Sequence, residues 1–141
     1  MSTASNTRTT SGETTLNQKL GYAFGAIYIL VGILGFFVSD TFVSEEDNKL
    51  LGIFMVNQLH NIVHLAIGVA LLGAARSGDR AARSTNLTIG AVYLLLGVVG
   101  WFINDTALDI IALNPADHVL HLLSGALLVG VAKSGATSRT A

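Results

Sequence analysis

The chain has 141 residues, of which 51% are hydrophobic and 12% charged, and its mean hydropathy is +0.60. Roughly a quarter of the residues in an ordinary soluble domain are charged, so this composition indicates an integral membrane protein. The formal net charge of −1 excludes the basic face that nucleic acid requires, and the lack of cysteine excludes disulfides and thiolate metal sites.

The first 16 residues are polar and rich in Ser and Thr, and we expect them to form a disordered tail. They lack the apolar stretch that follows the basic start of a signal peptide, so we expect the first apolar run to be an uncleaved membrane anchor. The length allows one compact bundle. We therefore expect a single membrane domain over residues 17–133 and a flexible tail over residues 134–141.

Four apolar runs follow, each close to the ~20 residues that a helix needs to cross a bilayer. In chain order they are Leu20–Val38, Leu51–Ala75, Leu87–Ile103 and Leu108–Ala132. The pattern predicts an all-α fold, a four-helix transmembrane bundle whose partner is the lipid bilayer. Homo- or hetero-oligomers in the membrane stay open.

The first run matches the third, and the second matches the fourth. Phe24–Thr41 realigns on Ile89–Thr106 with glycine, tyrosine and aspartate in the same order. This predicts two tandem repeated helical hairpins, over residues of about 20–78 and 85–135. Because each hairpin crosses the membrane twice, both enter from the same side, and the expected symmetry is a parallel pseudo-two-fold repeat.

The first and third runs place small residues and one tyrosine each on a single helix face. The members are Gly25, Tyr28, Gly32 and Gly35, and their equivalents Gly90, Tyr93, Gly97 and Gly100. Small residues let membrane helices approach closely, so we predict a packing seam. The two phenols, if buried, need hydrogen-bond partners.

Basic residues gather on one side of the four runs. The side with both termini and the loop between the hairpins carries Arg8, Lys19, Arg76, Arg80, Arg83, Lys133 and Arg139. The opposite side carries Lys49 among the acidic residues Asp40, Glu45, Glu46, Asp47, Asp105 and Asp109. The excess of Lys and Arg predicts a bacterial inner-membrane protein with both termini cytoplasmic and an acidic outer face.

Asn57 and Asn114 occupy matching positions in the second and fourth runs. Asn114-Pro115 is a helix-start signature, because Asn caps helices well and Pro is tolerated at the first helical position. We therefore predict that these helices break at Asn57 and Asn114, which makes Pro115–Ala132 the last span. The segments ahead of the breaks would be separate interfacial pieces, Leu50–Val56 and Leu108–Leu113. The alternative is one long helix kinked at Pro115.

Each of these two helices carries polar residues at i, i+3, i+4 and i+7, which is one helix face. The two stripes are Asn57, His60, Asn61 and His64, and Asn114, Asp117, His118 and His121. His64 and His121 are equivalent and deepest, and His60 matches Asp117 one turn nearer to the outside. Because ionisable groups inside apolar segments are costly, the stripes indicate a buried site in the outer half of the bundle.

The first interpretation of this site is structural. Polar side chains between membrane helices hydrogen-bond one another, and each bond contributes roughly 0.5–2 kcal/mol. The protein would then be a small structural or accessory membrane protein. Its structural polar cluster would consist of Asn57, Asn61, Asn114 and His118 together with the other members of the stripes.

Two further interpretations stay open. A divalent transition metal such as zinc is one, with His60, His64, Asp117 and His121 as ligands. A b-type haem between His64 and His121 as axial ligands is its variant, against which the charge of Asp117 counts. A proton or small-molecule site open to the outside is the third. No nucleophile triad, phosphate loop or zincin motif occurs, so we predict no enzyme.

The motifs Leu59–Gly68 and Asn114–Gly125 resemble a bacterial membrane family known only as a domain of unknown function. The resemblance runs from about Gln18 to Ala132 and implies a four-helix membrane protein. It implies these hallmark positions: His60, Asn61, His64, Asp117 and His121. His118 stands where the family leads us to expect Asn, so we expect His118 to be dispensable. The family brings no established activity, and the resemblance leaves the chemistry of the site open.

Overall fold

The protein is a bundle of four α-helices, seen in a computed structural model that describes residues 12–43 and 48–137. The helices are α1 (Leu16–Gly35), α2 (Gln58–Ser77), α3 (Asp79–Ile103) and α4 (Pro115–Thr137). Between α1 and α2 lie two short antiparallel strands, β1 (Lys49–Leu50) and β2 (Phe54–Met55). The all-α prediction is therefore confirmed. Of the predicted tails, 1–16 and 134–141, residues 1–11 and 138–141 lie outside the described residues, as do Glu45, Glu46 and Asp47.

All four helices are long and apolar enough to cross a membrane. The bundle surface is apolar, with Phe37, Phe102 and Leu123 each at least 65% exposed. The interior instead contains asparagine, histidine and tyrosine side chains. Because lipid solvates apolar side chains, this inside-out distribution supports a multi-pass membrane protein in contact with the bilayer.

Glycines bring the helices together in two pairs, α1 with α2 and α3 with α4. A Cβ atom added at Gly25 of α1 would lie 2.9 Å from the carbonyl oxygen of Gly68 of α2. One added at Gly125 of α4 would lie 2.7 Å from the carbonyl oxygen of Gly90 of α3. The backbones are in contact at these points, and the predicted packing seam is confirmed. We call the α1–α2 pair hairpin one and the α3–α4 pair hairpin two.

The predicted helix breaks at Asn57 and Asn114 are confirmed. The side-chain oxygen of Asn57 accepts a hydrogen bond from the backbone N–H of His60 at 2.8 Å, and Asn114 accepts one from Asp117 at 3.0 Å. These bonds satisfy N–H groups that a helix start leaves free. The alternative of a long helix kinked at Pro115 is wrong, because helix α4 starts there.

The predicted loop between the hairpins is wrong in extent. Helix α2 ends at Ser77 and α3 begins at Asp79, so Gly78 alone joins them. Asp79 lies in the first turn of α3, where an acidic residue stabilises the positive end of the helix dipole. The residues from Ala81 to Arg83 are good helix formers. Three arginines were predicted to lie in this loop; Arg76 instead lies on α2, and Arg80 and Arg83 lie on α3.

The bundle has two distinct ends. The loop end carries β1, β2 and residues 104–114; at the opposite end, which we call the tail end, α2 is joined to α3. There the side chain of Gln18 donates to the carbonyl oxygen of Ala75 at 2.9 Å, and Arg83 donates to that of Ala132 at 2.6 Å. Gln18 realigns on Arg83 as Ala75 does on Ala132, so the bonds form a matching pair. The duplication itself stays a prediction.

Candidate functional site

Three histidines converge beneath the loop end. His60 and His64 lie on adjacent turns of α2, and His121 lies on α4. One ring nitrogen of each histidine falls within 4.8 Å of the others, and all three residues are buried. The four-residue spacing of the first two places their rings on one face of α2. The packing of α4 against the other helices brings in the third.

The closest approach in this group is between His60 and His64, whose Nε2 atoms are 3.2 Å apart. Zinc binds imidazole nitrogen at about 2.0–2.1 Å with tetrahedral geometry. Two nitrogens on one such ion are therefore roughly 3.3–3.4 Å apart. The two Nε2 atoms of α2 are thus at hydrogen-bond distance, which is also close to the separation of two ligands that share one metal ion.

The remaining ring nitrogens of the deeper pair are not satisfied by the protein. The Nδ1 atoms of His64 and His121 are buried and have no hydrogen-bond partner in the described part of the chain. The Nδ1 atom of His60 is likewise buried without a partner among the described residues, although the backbone of Met55 and Ile111 lies beside its ring. A buried polar atom without a partner is costly and calls for an explanation such as a water molecule or an ion.

Two tyrosines hold the deeper histidines in position. The ring of Tyr28 stacks on His64 with centroids 5.4 Å apart, and the ring of Tyr93 stacks on His121 at 4.8 Å. The two tyrosines meet edge to face at 5.5 Å. Aromatic contacts of this kind restrict ring orientation, so both imidazoles sit in fixed, matching settings. The tyrosines of the predicted packing seam thus also belong to the site.

Asp117, the fourth predicted metal ligand, is engaged elsewhere. Its Oδ2 atom accepts hydrogen bonds from the backbone N–H groups of Met55 at 3.2 Å and Asn114 at 3.0 Å. The bond to Asn114 completes a reciprocal cap with the bond from Asn114 back to the N–H of Asp117. The bond to Met55 fastens β2 to the start of α4. Asp117 therefore accepts hydrogen bonds from the backbone, whereas the three histidines converge on one another.

The two capping asparagines also hold the opposite hairpin. The side-chain amide of Asn57 donates to the carbonyl oxygen of Ile110 at 2.9 Å, and that of Asn114 donates to the carbonyl oxygen of Ile53 at 2.7 Å. Each asparagine thus caps its own helix and binds the segment ahead of the other helix. Both residues have the contacts that the structural interpretation assigns to them.

Asn61 and His118 face away from the histidine group, towards the neighbouring helix of their own hairpin. The amide of Asn61 donates to the hydroxyl of Ser39 at 2.8 Å, next to the glycine at the end of α1. The ring of His118 lies over Gly100 and 5.1 Å from the ring of Trp101. The polar stripe of each helix is therefore divided between two neighbours.

A cavity of about 80 Å³ lies against the histidine group. Its polar lining consists of Tyr28, His60, His64, Asp117, His121 and Ser124. Its apolar lining comes largely from the segment ahead of α2, with Leu50, Leu51, Phe54 and Val56. The sequence predicted Leu50–Val56 as a separate piece but not its place in the site, because no local pattern indicates what such a segment packs against.

The size of the cavity limits what it holds. Sites for drug-sized ligands and cofactors measure about 300–1,000 Å³, and a water molecule takes about 30 Å³. With about 80 Å³, the cavity accommodates a metal ion with water or a ligand of a few atoms. It does not accommodate a porphyrin, so the geometry favours an ion over the haem that was considered for His64 and His121.

The chain was compared with known proteins. A family model described as a domain of unknown function (DUF4383) matches residues 18–133. The comparisons with curated proteins and with solved structures gave no match. The matched range includes all four histidines and both capping asparagines. The family description names no activity.

Proposed function

Because the chain belongs to the DUF4383 family, whose description names no activity, we propose its function from the site itself. We propose that the protein is a membrane-integral protein that binds one divalent transition-metal ion through His60, His64 and His121. The observation that carries this proposal is the convergence of three buried imidazoles within 4.8 Å. Imidazole suits zinc and its neighbours among the transition metals.

The hydrogen bonds of the site support a metal over a purely structural role for the histidines. A structural cluster predicts hydrogen bonds from the histidines of α2 to those of α4. In the described residues, the hydrogen bonds of the two stripes to the opposite hairpin are made with backbone groups: Asn57 and Asn114 donate to carbonyl oxygens, and Asp117 accepts from the N–H of Met55. A bound ion would give the three imidazoles a common partner through one nitrogen of each ring.

The ion would also connect the two hairpins. Two of its ligands lie on α2 and the third on α4, so a metal bond crosses between hairpins at a depth where the protein makes few other polar links. A ligand that binds only the folded state raises stability by mass action. The accessory role expected from the sequence and a metal site are therefore compatible, with the metal as part of the scaffold.

We further propose that the tail end faces the cytoplasm of a bacterium and the loop end the outside. Among the described residues, the tail end carries Lys19, Arg76, Arg80, Arg83 and Lys133. The positive-inside bias supports this orientation. A reporter fused after Ala141 should be active only in its cytoplasmic form. A reporter that is active only outside the cytoplasm contradicts the orientation and leaves the metal site untouched.

The test of the metal site is elemental analysis of protein purified in detergent, reloaded with Zn²⁺ and dialysed. We expect one equivalent of zinc per chain for the unmodified protein. His64→Ala and His121→Ala should each weaken zinc binding more than about 100-fold, because even changes behind the ligands cost roughly 10–100-fold. Folded, unmodified protein that retains no zinc would sink the proposal.

The matched control is the fourth histidine. His118 is fully buried like the ligands but lies over Gly100, away from the cavity lining. His118→Asn introduces the residue that stands at the equivalent position in hairpin one, Asn61. We expect this variant to keep full zinc occupancy. Loss of zinc from it, at unchanged folded yield, would show that the assignment of ligands is wrong.

A further inference from the structure

The three imidazoles leave one coordination position unfilled by the protein. Zinc takes four ligands in tetrahedral sites, and sites with three protein ligands keep water or substrate as the fourth. Asp117 also lines the cavity, but its Oδ2 atom accepts two backbone hydrogen bonds. The group of metal-ligating side chains that the structure brings together contains the histidines without Asp117. The fourth position therefore opens on the cavity.

The cavity presents hydroxyl groups beside this position. Tyr28 and Ser124 line it together with the three histidines. Tyr28 is 6% exposed, and its hydroxyl group makes no hydrogen bond of good geometry, although Ser124 and Tyr93 are its polar neighbours. A buried phenol normally donates a hydrogen bond. Because its ring stacks on His64, the hydroxyl group is held at a set position relative to a ligand.

The remaining lining of the cavity is apolar. It comes from Leu50, Phe54 and Val56 ahead of α2 and from Leu120 of α4. In such surroundings a hydrogen bond to a charged ligand is stronger than it is in water. The space admits a ligand of a few atoms and no more.

We propose that the metal ion carries an exchangeable fourth ligand in this cavity, water or a small anion, and that Tyr28 holds it through its hydroxyl group. This inference rests on the proposed metal site. The cavity is then a binding site for small anions or water-derived ligands, and Tyr28 is a positioning residue. Its equivalent in hairpin two, Tyr93, stacks on His121 but is not part of the cavity lining.

The experiment uses the full-length protein in detergent, loaded with Co²⁺ in place of Zn²⁺, because Co²⁺ has visible absorption bands that report its ligands. Sodium azide is the probe. We expect azide to change the bands in a saturable way. In Tyr28→Phe, one Co²⁺ per chain should still bind, and the affinity for azide should fall at least about tenfold, since a hydrogen bond to a charged group is lost.

The matched control is Tyr22→Phe, which removes the same atom from a 38% exposed side chain of α1 that is not part of the cavity lining. It should bind azide like the unmodified protein. If Co²⁺ binds and azide leaves the bands unchanged, the fourth position belongs to the protein; the inference fails and the metal site stands. If Tyr28→Phe and Tyr22→Phe bind azide equally, the role of Tyr28 is refuted. If folded protein binds no Co²⁺, the proposed function fails as well.

Discussion

Hairpin one contributes two histidines to the cavity, whereas hairpin two contributes one. The packing contacts of the two hairpins come in matching pairs, with Gly25 against Gly68 in one and Gly90 against Gly125 in the other. The side chains on the cavity differ, because Asp117 stands at the position of His60. The glycine contacts thus give equivalent positions of the two hairpins similar surroundings. The difference at the site comes from single side chains.

The difference at Asp117 has a structural benefit of its own. Its carboxylate fastens the β1–β2 segment to the start of α4 through Met55. His60 has no such role, and its Nε2 faces that of His64. In the proposed metal site, hairpin one therefore supplies two ligands, whereas the residue at the same position of hairpin two fastens β2 to the start of α4.

The largest expected effect concerns the shared packing. Gly68→Val and Gly125→Val should each destabilise the protein by about 3 kcal/mol or more, because the new side chains collide with backbone. Gly73→Val and Gly130→Val are matched controls, since nothing lies within 4 Å of a Cβ atom added there. Thermal unfolding in detergent measures all four. If the two sets of variants unfold at the same temperature, the glycine contacts do not stabilise the hairpins, and the comparison of the two hairpins fails.

The next prediction separates Asp117 from His60. Asp117→Ala should lower the free energy of unfolding by about 1–3 kcal/mol, because the backbone N–H of Met55 loses its acceptor. Zinc occupancy should stay unchanged. His60→Ala should instead lose zinc. Melting curves and elemental analysis of both variants test this pair. An Asp117→Ala protein that folds but no longer binds zinc would make the carboxylate a ligand.

The smallest expected effect concerns His118. Its ring nitrogens and the side-chain oxygen of Asn104 are buried without partners, whereas the equivalent Asn61 and Ser39 are hydrogen-bonded. The double change His118→Asn with Asn104→Ser copies hairpin one into hairpin two. It should stabilise the protein by about 0.5–1.5 kcal/mol, measured by thermal unfolding. If the double variant unfolds at the same temperature as the unmodified protein or below it, the α1–α2 and α3–α4 contacts are not equivalent.

Much of this fold follows from local signals in the sequence. The four spans follow from hydrophobic runs, and the starts of α2 and α4 follow from Asn57 and from Asn114-Pro115, because capping acts within one helical turn. The approach of His60 and His64 follows from their spacing of four. The participation of His121 follows only if equivalent helices are assumed to face each other.

The remainder depends on contacts between distant residues. The acceptor role of Asp117 involves a backbone N–H 62 positions away in the chain, and no local pattern encodes that pairing. The division of the stripe at Asn61 has another cause. Residues at i and i+1 point in directions about 100° apart around a helix. Asn61 therefore contacts the end of α1, whereas His60 faces the cavity. The four polar residues of one helix therefore contact two different neighbouring parts of the protein.

The single residue that joins the hairpins has a consequence for membrane insertion. Gly78 has φ +117° and ψ 175°, a conformation essentially restricted to glycine. It is the entire connection between two spans, so the chain has no slack there with which to correct a wrong entry. Because α1 and α2 precede α3 in the chain, this one residue sets the direction in which α3 leaves a hairpin that is already made. A side chain at position 78 would act through backbone strain, since nothing lies within 4 Å of a Cβ atom added there.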